Sequence, residues 1–125
     1  MILVDTSVWI DHLRAGNSAL VALLRDGHVL AHPWVTGEIA LGNLANRAEV
    51  LGLLGNLSQA AVATDSELRI LIDRQRLFGR GVGYVDVQLL AATLLTSGSL
   101  LWSRDRRLTA IAAELGIAHD QPQPP

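Results

Sequence analysis

The chain has 125 residues, 50% apolar and 18% charged, with a formal net charge of −2 at pH 7 and no cysteine; that supports a real core and excludes a disordered chain, a disulfide scaffold and thiol chemistry. All ten basic residues are arginine, which excludes a Walker P-loop and lysine Schiff-base chemistry, while the slight acidity argues against non-specific coating of nucleic acid but not against a local site whose acids hold cations. With no apolar run of about 18 residues and no basic region ahead of an apolar one, neither a membrane span nor a secretory signal is expected, and the cytoplasm is the expected location.

The chain opens on Ile2-Leu3-Val4, three apolar residues in a row, as expected of a parallel strand buried on both faces. Asp5 sits where that strand should end, and Thr6 and Ser7 can cap the helix that follows. Residues 6–13 read as a short helix with Val8, Trp9 and Leu13 on one side, and residues 19–25 as a second one ended by Asp26-Gly27. Residues 28–31 are expected to form the second strand. Pro33 then opens a helix at its favoured first position and carries it to about Ala45. A short helix over 49–54, a weak third strand over 61–63 and a long helix capped by Asp65 or Ser66 and reaching Phe78 follow.

Gly79-Arg80-Gly81-Val82-Gly83 fits no full phosphate motif and reads as a connection that re-aims the chain. Residues 84–96 form a strongly apolar helix, expected deep in the core. Leu100-Leu101-Trp102 is the fourth strand, Ser103 is the expected cap of a helix over 104–115, and Ile117-Ala118 an expected edge strand. Residues 1–120 are expected to form one domain and residues 121–125 a disordered tail. Strands alternating with helices point to an α/β fold with a parallel sheet.

Four acids occupy comparable places. Asp5 follows the first strand, Glu38 lies in the second turn of the helix opened by Pro33, Asp86 in the first turn of the helix opened near Gly83, and Asp105 just after the fourth strand. Each has a structural alternative. Asp5 can be a turn or cap residue, and Asp86 and Asp105 can simply complement helix dipoles. Glu38 stands beside Ile39, Ala40 and Leu41, where a solvated charge is less expected. Together they have a chemical rationale. Like charges in one pocket repel unless cations hold them, magnesium takes carboxylate oxygens, and such ions can activate a water against a phosphodiester. His28 and His32 straddle a strand–helix boundary and lack a third zinc ligand.

The order Val4-Asp5-Thr6-Ser7, Thr36-Gly37-Glu38, Tyr84-Val85-Asp86 ahead of Leu90-Ala91-Ala92, and Ser103-Arg104-Asp105 resembles a PIN domain, and the small size resembles the VapC-type toxin ribonucleases. The resemblance covers nearly the whole chain. It implies a three-layer α/β/α sandwich with a central parallel sheet of four to five strands. It implies an endoribonuclease dependent on Mg²⁺ or Mn²⁺ that hydrolyses RNA through metal-activated water, tRNA or other structured RNA included. It also implies a homodimer and a cognate antitoxin as partners, with no membrane. By position, Asp5, Glu38, Asp86 and Asp105 match the family's catalytic and metal-holding acids, and Ser7 and Ser103 its supporting hydroxyls. Gly83 stands where the family often has Ser or Thr.

Arg104, Arg106 and Arg107 flank Asp105, and Arg74, Arg76 and Arg80 precede the Asp86 helix; Arg80, Arg104, Arg106 and Arg107 are the candidate RNA contacts, since guanidinium groups pair with phosphates. Trp9, Trp34 and Trp102 each lie within four residues of one of the acids. Stacking on unpaired bases is open to them, although core packing is the commoner fate of tryptophan. Two other functions fit the same residues: a PIN nuclease of RNA or DNA processing without an antitoxin, and a non-catalytic RNA-binding scaffold.

Overall fold

The computed structural model describes residues 1–120. In chain order it contains β1 (Ile2–Val4), α1 (Thr6–Ala15), α2 (Ser18–Arg25), β2 (Val29–Ala31), α3 (Pro33–Ala40), α4 (Arg47–Asn56), β3 (Ser58–Gln59), α5 (Asp65–Gln75), α6 (Tyr84–Leu95), β4 (Leu100–Trp102) and α7 (Arg106–Glu114). The expected tail over 121–125 lies outside the described residues.

The strands form one parallel sheet in the order β3-β2-β1-β4. All three residues of β1 are buried, and so are all three of β2. Neighbouring strand residues point to opposite faces, so both faces of the sheet must be covered, which is the three-layer arrangement. The core gathers Leu3, Val4, Leu30, Leu89, Leu90 and Leu108 around the strands. Helix α6 is buried without interruption from Val87 to Thr93, as its apolar sequence requires.

Chain order explains where a site should lie. From β1 the chain moves to β2 and β3 on one side, then returns to place β4 on the other side of β1. A sheet whose connections diverge in this way opens a crevice beyond the carboxyl ends of the two strands at the switch. Here those strands are β1 and β4, which end at Asp5 and Ser103.

Several boundaries differ from expectation for identifiable reasons. Helix α3 stops at Ala40 rather than continuing to Ala45, because Gly42 and Asn43 are poor helix formers and the Arg47 guanidinium donates to the Ala40 carbonyl (3.0 Å). The third strand is Ser58–Gln59, not residues 61–63. The backbone of Ala61 and Ala63 pairs instead with side chains of α6 and of Thr96, its C-cap. The Gln88 amide takes both the N–H and the carbonyl of Ala63 (2.8 and 3.0 Å), and the Thr96 hydroxyl accepts from Ala61 N–H (3.0 Å). Helix α5 is capped by Thr64 in a reciprocal box with Glu67, ahead of the expected Asp65 or Ser66, and it ends at Gln75 with Arg76 in the left-handed region rather than at Phe78. Ala118 bridges Leu101 in parallel, matching the expected edge pairing.

Candidate active site

Asp5 is the best-held acid. It is 7% exposed and extends the β1/β4 ladder through its N–H to the Trp102 carbonyl (2.9 Å). Its carboxylate receives three donors: Thr6 N–H on Oδ1 (2.7 Å), and the hydroxyls of Ser7 (2.8 Å) and Ser103 (2.7 Å) on Oδ2. Each hydroxyl accepts in turn, Ser7 from Arg104 N–H and Ser103 from Asp105 N–H, both at 3.0 Å. The two serines matched by resemblance thus tie the ends of β1 and β4 to one carboxylate. With its hydroxyl so engaged, Ser103 does not cap α7. That cap is Asp105, whose Oδ1 accepts from Leu108 N–H (3.0 Å), and the helix begins at Arg106 rather than Arg104.

Glu38 is exposed, contrary to the expectation of a sheltered charge. Its neighbour Ile39 turns into the core at 2% exposure, while Leu41 is 90% exposed. The Glu38 carboxylate accepts from the Thr6 hydroxyl (2.7 Å), a contact across 32 residues that joins α3 to the start of α1. Sequence spacing gave Thr6 only a capping role, because nothing local reveals that partner. Asp86 is half-buried, and its Oδ2 accepts from Gly83 N–H (2.9 Å). The missing hydroxyl at Gly83 therefore leaves the acid anchored by backbone alone.

The four acids share one electrostatic field. Burial raises the Asp86 carboxyl above its ordinary value, the Gly83 N–H draws it back, and the charges of Asp5, Asp105 and Glu38 each push it up. Yet as the side chains stand, no three acids or imidazoles among the described residues converge closely enough to hold a metal ion. Each carboxylate is instead turned toward a protein donor: Asp5 toward Thr6 N–H, Glu38 toward the Thr6 hydroxyl, Asp86 toward Gly83 N–H and Asp105 toward Leu108 N–H.

The arginines divide. Arg80 grips Glu114 of α7 with both terminal nitrogens (2.6 and 2.9 Å), and Arg104 pairs with Asp11 (2.7 Å). Both expected RNA contacts thus have protein partners. Arg106 and Arg107 are exposed. The Arg107 guanidinium lies over Gly81, where a Cβ would overlap it and where φ is +80°. Among the tryptophans, Trp9 and Trp102 are core residues at 5% and 8% exposure, and only Trp34 keeps an accessible surface beyond that. His32 is fully buried, with Nε2 facing the Gln88 amide oxygen (3.2 Å) and Nδ1 accepting from Trp34 N–H (3.0 Å), while His28 is exposed. The two histidines therefore do not pair on a zinc ion.

A parallel sheet covered on both faces, with four acids gathered beyond the carboxyl ends of its strands, defines a PIN-like α/β protein. No protein-family profile matches the chain. It is 52% identical over 118 residues to Ribonuclease VapC32 of Mycobacterium tuberculosis, in strain CDC 1551 / Oshkosh and in strain ATCC 25618 / H37Rv, an overlap of 94% of this chain and 95% of each relative. The chain belongs to the VapC family of PIN-domain toxin ribonucleases. None of its described helices is long and apolar enough to cross a membrane.

Proposed function

We propose that the chain cleaves RNA at the Asp5–Glu38–Asp86–Asp105 cleft with the help of Mg²⁺ or Mn²⁺, as the cytoplasmic toxin of a pair with a cognate antitoxin. Residues 1–120 act as one unit in this reading, and the active form is a homodimer. The observation that carries it is the hydrogen-bonded chain that draws the acids to one edge of the sheet: the Ser103 hydroxyl donates to Asp5 and accepts from Asp105 N–H, and the Thr6 hydroxyl next to Asp5 donates to Glu38, while burial and the charges of the other three acids push Asp86 up. A protein gains no stability from such a cluster, whereas a divalent cation gains a site of hard oxygen donors.

The donor set fits magnesium or manganese. It consists of carboxylates and hydroxyls, with no thiolate and no converging imidazoles. Asp5, Asp86, Asp105 and Glu38 would hold the ion or ions. When bound, a divalent cation supplies charge neutralisation at the phosphodiester and makes water more acidic. The chain's own residues do the rest. Ser7 and Ser103 fix the Asp5 carboxylate in orientation, with Thr6 N–H on its other oxygen. The Thr6 hydroxyl, donating to the Glu38 carboxylate, would steady that acid. Arg106 and Arg107, exposed beside Asp105, would meet backbone phosphates of the RNA.

Purified protein assayed on a mixed RNA substrate decides this. Cleavage is expected in Mg²⁺ or Mn²⁺, none in EDTA, and recovery on restoring the metal. Undiminished cleavage in EDTA overturns the metal assignment. No cleavage under any metal favours a scaffold that has kept the fold.

A further inference from the structure

Two helices bring more than an acid to the carboxyl edge of the sheet. Trp34 is the second residue of α3, one turn before Glu38, and Tyr84 is the first residue of α6, two residues before Asp86. Their ring centroids lie 6.1 Å apart with planes inclined at 41°. We propose that Trp34 and Tyr84 form a shelf that stacks an unpaired nucleobase of the RNA beside the phosphodiester at the acid cleft. The proposal rests on the acid cleft being where the phosphodiester sits.

Three features distinguish this pair from ordinary packing. The first is exposure. Tyr84 is 43% exposed and Trp34 partly so, while Trp9 and Trp102 have no face to offer. The second is rigidity. The Tyr84 hydroxyl donates to the Asp65 carboxylate, which Arg69 also holds (2.9 Å), so the ring is tethered at its far end. The Trp34 indole is braced edge-on by the His32 ring, at 6.2 Å and 88°, and that imidazole is itself fixed by Gln88 and by Trp34 N–H. An aromatic surface ordered before binding costs little further entropy when a base arrives. The third is chemistry. A surface of one indole and one phenol whose hydroxyl is already occupied offers π-faces and no free phenolic donor. Such a surface suits any base, because every base has a π-face. It therefore favours unpaired RNA over a duplex, whose bases are stacked on each other.

The test compares binding of a short unstructured single-stranded RNA with binding of the same strand lacking its bases, in Ca²⁺ and by fluorescence anisotropy. The phosphates are identical, so the difference isolates the bases. Wild type is expected to bind the intact strand roughly ten- to a hundredfold more tightly. Tyr84→Ala and Trp34→Leu should shrink that difference by about tenfold, while Tyr84→Phe, which keeps the ring, should retain most of it. Should Trp34→Leu fail to fold, the exposed Tyr84→Ala still decides the matter. A base-dependent difference unchanged in Tyr84→Ala overturns the shelf, and so does a wild type that ignores the bases or does not bind the strand. Loss of the difference in Tyr84→Ala alongside a wild type that cleaves no RNA leaves the shelf standing and removes the nuclease reading. Metal-dependent cleavage with an unchanged difference does the reverse.

Discussion

Charge neutralisation should have opposite effects on stability at Asp86 and at Asp5. Asp86→Asn removes a half-buried charge that three other carboxylates oppose, while its amide oxygen can still accept from Gly83 N–H. At an effective dielectric of about 20 the repulsion relieved is on the order of 1 kcal/mol. Asp5→Asn has the reverse balance. Its carboxylate accepts from Thr6 N–H and from both serine hydroxyls, and an amide leaves an NH₂ group facing at least one of these donors. Hydrogen bonds to charged groups contribute roughly 1.5–3 kcal/mol, so a net loss of about 2 kcal/mol is expected. For a chain of this length roughly 4 °C accompanies each kcal/mol. In EDTA, Asp86→Asn should melt about 4 °C above wild type and Asp5→Asn about 8 °C below it. Millimolar Mn²⁺ should raise wild type by mass action, by about 2.7 kcal/mol at a hundred times Kd, and raise both variants much less. Differential scanning fluorimetry with chelator and with metal reads all of this. An Asp86→Asn protein that melts below wild type in EDTA, or a wild type indifferent to Mn²⁺, would show that the four carboxylates do not share a cation site.

Other outcomes follow from particular contacts. Arg106→Gln with Arg107→Gln should weaken RNA binding and flatten its dependence on salt, as loss of phosphate contacts requires; an unchanged salt slope in a filter-binding titration removes these residues from the interface. Gly81→Ala should cost about 1–2 kcal/mol, because its φ of +80° disfavours a side chain and its Cβ would displace the Arg107 guanidinium; a melt equal to wild type contradicts this. Burial lowers His32 below its ordinary value of 6.5, with the Gln88 hydrogen bond partly opposing, and burial lowers His119 likewise. The unfolded chain then binds more protons, so this contribution is present above the unfolded value and is lost as pH falls below 6.5. His32→Asn, whose oxygen can still accept from Trp34 N–H, should flatten stability against pH in that window; an identical slope in urea titrations counts against it.

What the sequence revealed and concealed has a physical pattern. The apolar triplet before Asp5 and the one before Ser103 identify buried parallel strands, because strands covered on both faces need no alternation. The acids at their ends were legible for the same reason. Features set by distant partners were not. Residues 61–63 look like a strand, but the amide of Gln88, 25 residues away from Ala63, satisfies that backbone. Ser103 looks like a cap until Asp5, 98 residues away, claims its hydroxyl. Arg80 looks like a phosphate contact until Glu114 is found against it. Glu38 looked sheltered because its apolar neighbours were counted along the chain, whereas the helix turns Ile39 inward and leaves Glu38 outside.

We propose that these four carboxylates make one centre for cutting RNA. Cleavage of RNA in Mn²⁺ by wild type and by Asp86→Asn, each shown to be folded, tests it most directly. Wild type is expected to cleave, and the variant to lose at least roughly a hundredfold, as follows when transition-state charge stabilisation is removed. An Asp86→Asn protein that cuts at the wild-type rate would contradict it.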